Sequence, residues 1–439
     1  MSISTKRASE IIDALRRGTV PCASLDAFCV GLERFESAVD ADLAAVAAGG
    51  RGVFKAVRGD YGCGKTFFTR WLADRARKRG FVTSEVQISE TETPLHKLET
   101  VYRRLMERLA TADTPEGALR NVVDGWFHVL EEDVIAEGTS PDDAALLVAR
   151  TTALLETRLA KVTNHAPLFA AAIRGYRQAA VVGDRATADG LLAWAAGQPH
   201  VAAGIKKTAG IKGDLDHFGA LGFLQGMLTM LRDAGYAGLL VVLDEVETIQ
   251  RVKSDARDKS LNALRQLIDE IEGGRFPGLF LLITGTPAFY DGPQGVQRLE
   301  PLAQRLHVDF QTEARFDNPR AVQMRLPPFD LDRLCAVGVK IRDIFRSCAS
   351  APDRIAATCD DAYIRRLAEA VTGKLGGKVG IAPRIFLKKL VADVLDRVDQ
   401  HPDFNPLANY TLTLAESELT PVEREAVGAK SVDDISLDL

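Results

Sequence analysis

Gly59-Asp60-Tyr61-Gly62-Cys63-Gly64-Lys65-Thr66 matches the pattern G-x-x-x-x-G-K-[ST] in full. Glycines at this spacing let successive backbone N–H groups curl around an anion. The lysine then reaches the outer phosphates of a nucleotide, and the hydroxyl binds Mg²⁺. The flanking residues agree. Residues 53–57, Val-Phe-Lys-Ala-Val, are short and β-prone, and residues 67–79 carry Phe68, Leu72 and Ala76 at helical spacing. That helix starts near Lys65, so its N-terminal dipole adds to the anion site. It ends on Arg77, Lys78, Arg79 and Gly80, which suit a helix C-terminus. The stretch thus implies a phosphate cradle made of Gly59, Asp60, Tyr61, Gly62, Cys63, Gly64, Lys65, Thr66 and Phe67, with Thr66 also a metal ligand.

Further along, residues 239–243 (Leu-Leu-Val-Val-Leu) form a continuous apolar run, typical of a parallel strand buried on both faces, and lead directly into Asp244-Glu245. Open parallel sheets bind ligands at the carboxyl ends of their strands. Asp244 is therefore expected in the Mg²⁺ shell, with Glu245 polarising the attacking water. Two acids at this place favour hydrolysis over binding alone. A second apolar run, residues 279–283, enters Thr284-Gly285-Thr286-Pro287. Thr284 is the first choice for contacting the terminal phosphate or orienting water and Thr286 the second, although both also suit a turn. A weaker strand covers residues 322–326.

Strands alternating with helices predict a parallel sheet covered on both faces. Helical spacing marks residues 8–17, 32–48, 95–112, 118–135, 142–161, 167–181, 334–346, 361–371 and 383–398, and residues 81–89 alternate like a strand. The expected organisation is a core in two parts, residues 1–94 and 236–329, split by a mainly helical insertion at 95–235. A helical lid at 330–415 and an acidic tail at 416–439 follow.

The 439 residues carry a net charge of −5, which argues against a dedicated basic DNA-binding protein while leaving local basic surfaces open. No apolar run approaches the ~18 residues that cross a bilayer, and residues 1–17 lack a signal-peptide core, so no membrane and a cytoplasmic location are expected. Cys22, Cys29, Cys63, Cys335, Cys348 and Cys359 form no C-x-x-C pair or zinc spacing and are read as small core residues. In the insertion, basic residues such as Arg103, Arg158, Arg174, Arg177 and Lys206 are interleaved with acids, as on a solvated helical face. Tyr102, Trp126, Phe127 and Trp194 are expected to pack helices together. Residues 204–213, basic and glycine-rich, are expected to be a flexible loop and are the best nominee for DNA or partner contact.

The order of these elements resembles the AAA+ class of P-loop ATPases, in particular its origin-recognition-like branch. The fold implied is α/β, a P-loop AAA+ core with a parallel sheet, a large helical insertion and a C-terminal helical lid. Gly380-Ile381-Ala382-Pro383-Arg384 looks like the sensor-2 segment of that class, implying that Arg384 lies near the terminal phosphate. Val20, Pro21 and Gly31 stand where such proteins line the adenine pocket, implying ATP with Mg²⁺. The class also acts through arginine fingers between subunits, implying a homo-oligomer, with Arg305, Arg315 and Arg320 as candidates between which the sequence does not choose.

A narrower similarity covers most of the chain. The strings at residues 17–21, 54–68, 93–96 and 326–329 resemble the BrxD family, the ATP-binding proteins of BREX bacteriophage-defence systems. This resemblance implies an antiviral ATPase working with other defence-system proteins and coupling nucleotide state to a partner protein or double-stranded DNA. A nucleotide switch with little turnover, and a transposition-type regulator that loads on DNA, stay open beside it.

Overall fold

A computed structural model describes residues 3–377, 380, 382–419 and 423–424. Ile381 of the 380–384 segment and most of the acidic tail lie outside the described residues.

Five strands make one parallel sheet. They are β1 (Val53–Arg58), β2 (Phe81–Gln87), β3 (Gly238–Asp244), β4 (Leu279–Gly285) and β5 (Gln323–Arg325), in the order β2-β3-β4-β1-β5. β3 and β4 are interior strands, buried along their whole length. Their side chains feed two separate cores, with Leu239, Val241 and Leu243 on one face and Leu240 and Val242 on the other. Burial on both faces is why these runs are continuously apolar rather than alternating.

Two helices, α1 (Thr5–Arg16) and α2 (Glu33–Ala47), precede β1, and α3 (Lys65–Arg77) joins β1 to β2. Seven helices stand between β2 and β3, namely α4 (Leu98–Glu107), α5 (Leu119–Ala136), α6 (Ala144–His165), α7 (Pro167–Val181), α8 (Arg185–Ala195), α9 (Ala203–Thr208) and α10 (His217–Asp233). Next come α11 (Ser254–Glu272) between β3 and β4, then α12 (Pro287–Asp291) and α13 (Glu300–Leu306) before β5. After β5 come α14 (Leu331–Arg346), α15 (Pro352–Thr358), α16 (Asp361–Lys374) and α17 (Pro383–Lys388). The last is prolonged by a π-helical stretch, Lys389–Leu395, and by Asp396–Gln400.

The two sheet faces are covered by different parts of the chain. One carries the helices between β2 and β3 together with α11, through residues such as Val122, Leu159, Phe223 and Leu264. The other joins the chain's beginning to its later helices, with Ile11, Phe35, Trp71, Ile341 and Leu390 in one cluster. Arg16 at the end of α1 fastens this union by an ion pair with Asp396, its Nε 2.7 Å from Oδ2.

The helix-packing aromatics are buried as expected, and their polar ends are satisfied. Tyr102 donates to the Ala195 carbonyl at 2.9 Å, Trp126 to Asp233 at 2.8 Å and Trp194 to the Gly213 carbonyl at 3.1 Å. The basic residues there are largely spent on acids of the same block: Arg158 on Asp133 and Asp233, Arg174 on Glu156, Lys206 on Asp214. Residues 204–213 are not wholly a flexible loop. They open as α9, because Ile205 packs against Gly190 of α8, and Lys206 then ties the turn back to Asp214 at 3.0 Å. Cys29, Cys63 and Cys359 are buried and Cys335 and Cys348 half-buried, but Cys22 is exposed and takes no part in the core.

Candidate functional site

The sheet register sets the site. Arg58 at the end of β1 stands beside Gly285 of β4, Leu243 of β3 beside Ile283 of β4, and Gln87 of β2 beside Asp244. The segments that follow β1, β3 and β4 therefore leave the sheet side by side at its carboxyl edge.

After β1 the chain turns through Gly62 and Gly64, with φ of +81° and +97°, and enters α3 at Lys65. A side chain held in that left-handed region costs roughly 1–2 kcal/mol. The Lys65 ammonium, 8% exposed, donates to the carbonyls of Gly59 (2.8 Å) and Asp60 (3.3 Å). Burial pushes the Cys63 thiol up to about 11, so this residue packs in the loop as a small neutral group.

Beside it, Asp244 is buried, with one carboxylate oxygen 3.5 Å from the Thr66 hydroxyl. Thr284 is fully buried and stands behind both acids rather than on the cavity wall. Its hydroxyl donates to Asp244 and accepts from the Glu245 backbone N–H at 3.1 Å. Thr286, also buried, precedes α12. Glu245 takes φ +57°, uncommon for any residue but glycine, and its carboxylate accepts from the Gln87 amide at 2.6 Å. Glu247 is 4% exposed, and neither of its carboxylate oxygens has a hydrogen-bond partner among the described residues. Its nearest cation is Lys65, 3.9 Å away. Burial raises the Glu247 carboxyl above the usual carboxylate range and Lys65 pulls it back.

Lys65, Thr66, Asp244, Glu245 and Glu247 line one end of a cavity of about 330 Å³. Residues 61–67 form its floor, with Asp244, Glu245 and Glu247 at the side. The other end is apolar, made by Val20, Pro21, Phe28, Gly31, Phe329, Val337 and Leu387. Trp71 pins this N-terminal stretch to α3 by donating to Asp26 at 2.8 Å, Arg70 binds the Val20 carbonyl, and Lys340 of α14 holds the Cys29 carbonyl at 2.6 Å. Gly59 and Asp60 line no part of this cavity. They face a second one of about 520 Å³ with Arg58, Asp291, Phe310 and Arg325, which holds none of the acids that follow β3.

Arg384 reaches the first cavity from α17, yet its Nε and one of its terminal nitrogens are engaged. They bind both carboxylate oxygens of Glu423, with Nε at 3.1 Å, and the Glu418 carbonyl at 2.6 Å. Lys388 and Lys389 bind the Glu418 side chain at 3.1 and 2.9 Å, and these lysines hold that carboxyl down at about 2, against the effect of its burial. The three arginine-finger candidates all lie away from this cavity. Arg305 pairs with Asp269 and Arg315 with Glu313 at 2.8 Å, whereas Arg320 is exposed and makes no ion pair among the described residues.

A metal-bound nucleotide triphosphate fits this donor set. Lys65 is spent on main-chain carbonyls, a buried carboxylate lacks a donor among the described residues, and Thr66 and Asp244 face one another across 3.5 Å. Among the described residues, no three His, Cys, Asp or Glu side chains close around a metal on their own. Sequence patterning alone missed Glu247, Gln87, Arg333 and Phe329. Glu247 had a local signal as an acid two positions beyond Asp244-Glu245, while Gln87 and Arg333 come to the site only through strand pairing and helix docking.

A parallel sheet in this strand order, a phosphate loop after β1 and paired acids after β3 define a P-loop AAA+ ATP-binding protein. The model of one family, the BREX system ATP-binding protein BrxC/D, matches residues 3–414. The chain belongs to that family, which places it among the components of a BREX anti-phage defence system. Neither the curated proteins nor the solved structures give a match to it. No described helix is long and apolar enough to cross a membrane.

Proposed function

We propose that the chain hydrolyses ATP at this cavity and uses the nucleotide state to change how it engages a partner. The convergence of Lys65 and Thr66 with Asp244 and Glu245, from two segments far apart in the chain, on one cavity supports this most strongly. Mg²⁺, when bound, supplies charge neutralisation on the phosphate oxygens. Thr66 and Asp244 would hold it, and Lys65 would exchange carbonyl partners for phosphate. Thr284 keeps Asp244 and the Glu245 backbone in place from behind. Glu245 accepts a hydrogen bond from the attacking water once it has left Gln87. Arg384 exchanges the Glu423 carboxylate for the terminal phosphate, which ties nucleotide state to the position of α17.

On this proposal the chain is a cytoplasmic ATPase core, residues 1–94 and 236–329, with a helical insertion at 95–235, a lid at 330–415 and an acidic tail at 416–439. Other defence-system proteins or duplex DNA are its partners. Subunits associate, with Arg320 the best placed of the three arginines to reach a neighbour's phosphate, because the other two are already paired. One observation favours a second reading, a switch with little turnover of its own. Glu245 and Arg384 are both bound to other residues, and activity would await whatever releases them.

Steady-state phosphate release by the full chain, with and without duplex DNA, separates these readings when Lys65→Ala and Glu245→Gln run beside it. Turnover abolished in both variants supports hydrolysis at this cavity, and stimulation by DNA adds nucleic acid to the partners. An absence of turnover under all conditions, with nucleotide still bound through Lys65, overturns autonomous hydrolysis and leaves the switch.

A further inference from the structure

Glu247 is a buried acid that the proposed chemistry does not use. It sits in the 3₁₀ turn Val246–Arg251 behind Glu245, and its side chain lines the phosphate end of the cavity. A buried carboxylate without a donor is among the costliest polar arrangements a fold can hold. The two nearby hydroxyls do not relieve it. Tyr290 donates to the Val57 carbonyl at 3.3 Å, and the Tyr61 hydroxyl meets Arg251 at 3.4 Å. Lys65, at 3.9 Å, bonds Gly59 and Asp60 instead. At this end of the cavity Asp244, Glu245 and Glu247 thus face one lysine, while Arg384 is taken by Glu423.

We propose that Glu247 is a specificity-determining residue whose carboxylate, set beside Lys65, makes the cleft accept a nucleotide triphosphate as its Mg²⁺ complex and reject the metal-free form. This rests on the cleft being the ATP site. Metal-free ATP brings its full negative charge against a lysine already shared with an acid. A divalent cation cancels much of that charge, and its bound waters are the donors the orphaned carboxylate lacks. Glu245 does not duplicate this part, because its carboxylate is held by Gln87.

The test is calorimetric titration of the full chain with ATP, in Mg²⁺ and in EDTA, for the natural protein, Glu247→Gln, Glu247→Asp and Lys65→Ala. Glu247→Gln keeps the side chain's shape and removes its charge. Metal-free ATP should then bind about tenfold more tightly, or roughly 1.4 kcal/mol, while Mg²⁺-ATP changes by less than about threefold. Glu247→Asp, keeping the charge, should retain the Mg²⁺ preference. An unchanged Mg²⁺ preference in Glu247→Gln overturns the inference. So does an equal loss of both affinities with a lowered Tm, which marks a packing role only. A natural protein that binds no ATP in either condition, like Lys65→Ala, overturns the nucleotide assignment itself, and the inference with it.

Discussion

The two ends of the cavity are built on different principles. At the phosphate end, residues 61–67, Asp244, Glu245 and Glu247, with Thr284 behind them, stand at or just beyond the ends of neighbouring strands, and the sheet register fixes their spacing. At the apolar end, Val20, Phe28 and Gly31 from the start of the chain meet Phe329, Val337 and Leu387 from far along it. What holds them together is packing of α1 against α14, α17 and the π-helical stretch, plus single polar ties such as Arg16 to Asp396 and Trp71 to Asp26. The strand-end groups are set by a ladder of hydrogen bonds and suit chemistry that needs fixed geometry. The docked segments are set by side-chain packing and suit a closure that follows the ligand.

Substitutions at the two ends should therefore fail in different ways. The largest effect belongs to the phosphate end. Glu245→Gln should cut turnover about 10²–10³-fold while ATP affinity stays within a few-fold, the pattern of a group acting in the transition state. A parallel loss of affinity, read by calorimetry, would mean that Glu245 chiefly holds ground-state phosphate. Thr284→Ala, which touches no cavity surface, should still lower turnover about tenfold, because Asp244 and the Glu245 N–H lose their shared partner. An unaffected rate would show that Asp244 is held well enough by other contacts.

Effects in the docked segments should be smaller and should fall on discrimination between nucleotides. Glu423→Gln weakens the hold on Arg384, so the preference for ATP over ADP should rise about three- to tenfold, in the range of one charge-assisted hydrogen bond. An unaltered preference would separate Arg384 from phosphate sensing. The smallest effect is expected of Trp71→Phe. It removes the bond to Asp26 and should cost about 1 kcal/mol of stability, a fall of about one degree in Tm for a chain of this length. Turnover at saturating ATP should be nearly unchanged.

The same contrast explains what the sequence revealed. The phosphate loop and the acids after β3 were legible because contiguous residues encode them and a doubly buried strand leaves an unbroken apolar run. The helix α10 was not picked out by its spacing. Ten of its residues, from Ala220 to Leu231, are buried, so no polar face gives the period away. α8 and α9 are interrupted by Gly190 and Gly204 and depend on packing against each other. Arg384 was legible as a lid arginine, but its engagement by Glu418 and Glu423 depends on a return of the chain that no local pattern announces. Gln87 likewise reaches Glu245 only because β2 pairs with β3.

The most direct test of the central claim is equilibrium binding of Mg²⁺-ATP to the natural chain and to Lys65→Ala, with circular dichroism confirming that both are folded. The account predicts saturable binding, with one nucleotide per chain, that weakens at least about a hundredfold in the variant, because Lys65 is the phosphate-facing cation not engaged by an acid at hydrogen-bond distance. Equal affinity in the two proteins would contradict it and would move the nucleotide away from the loop at residues 59–66.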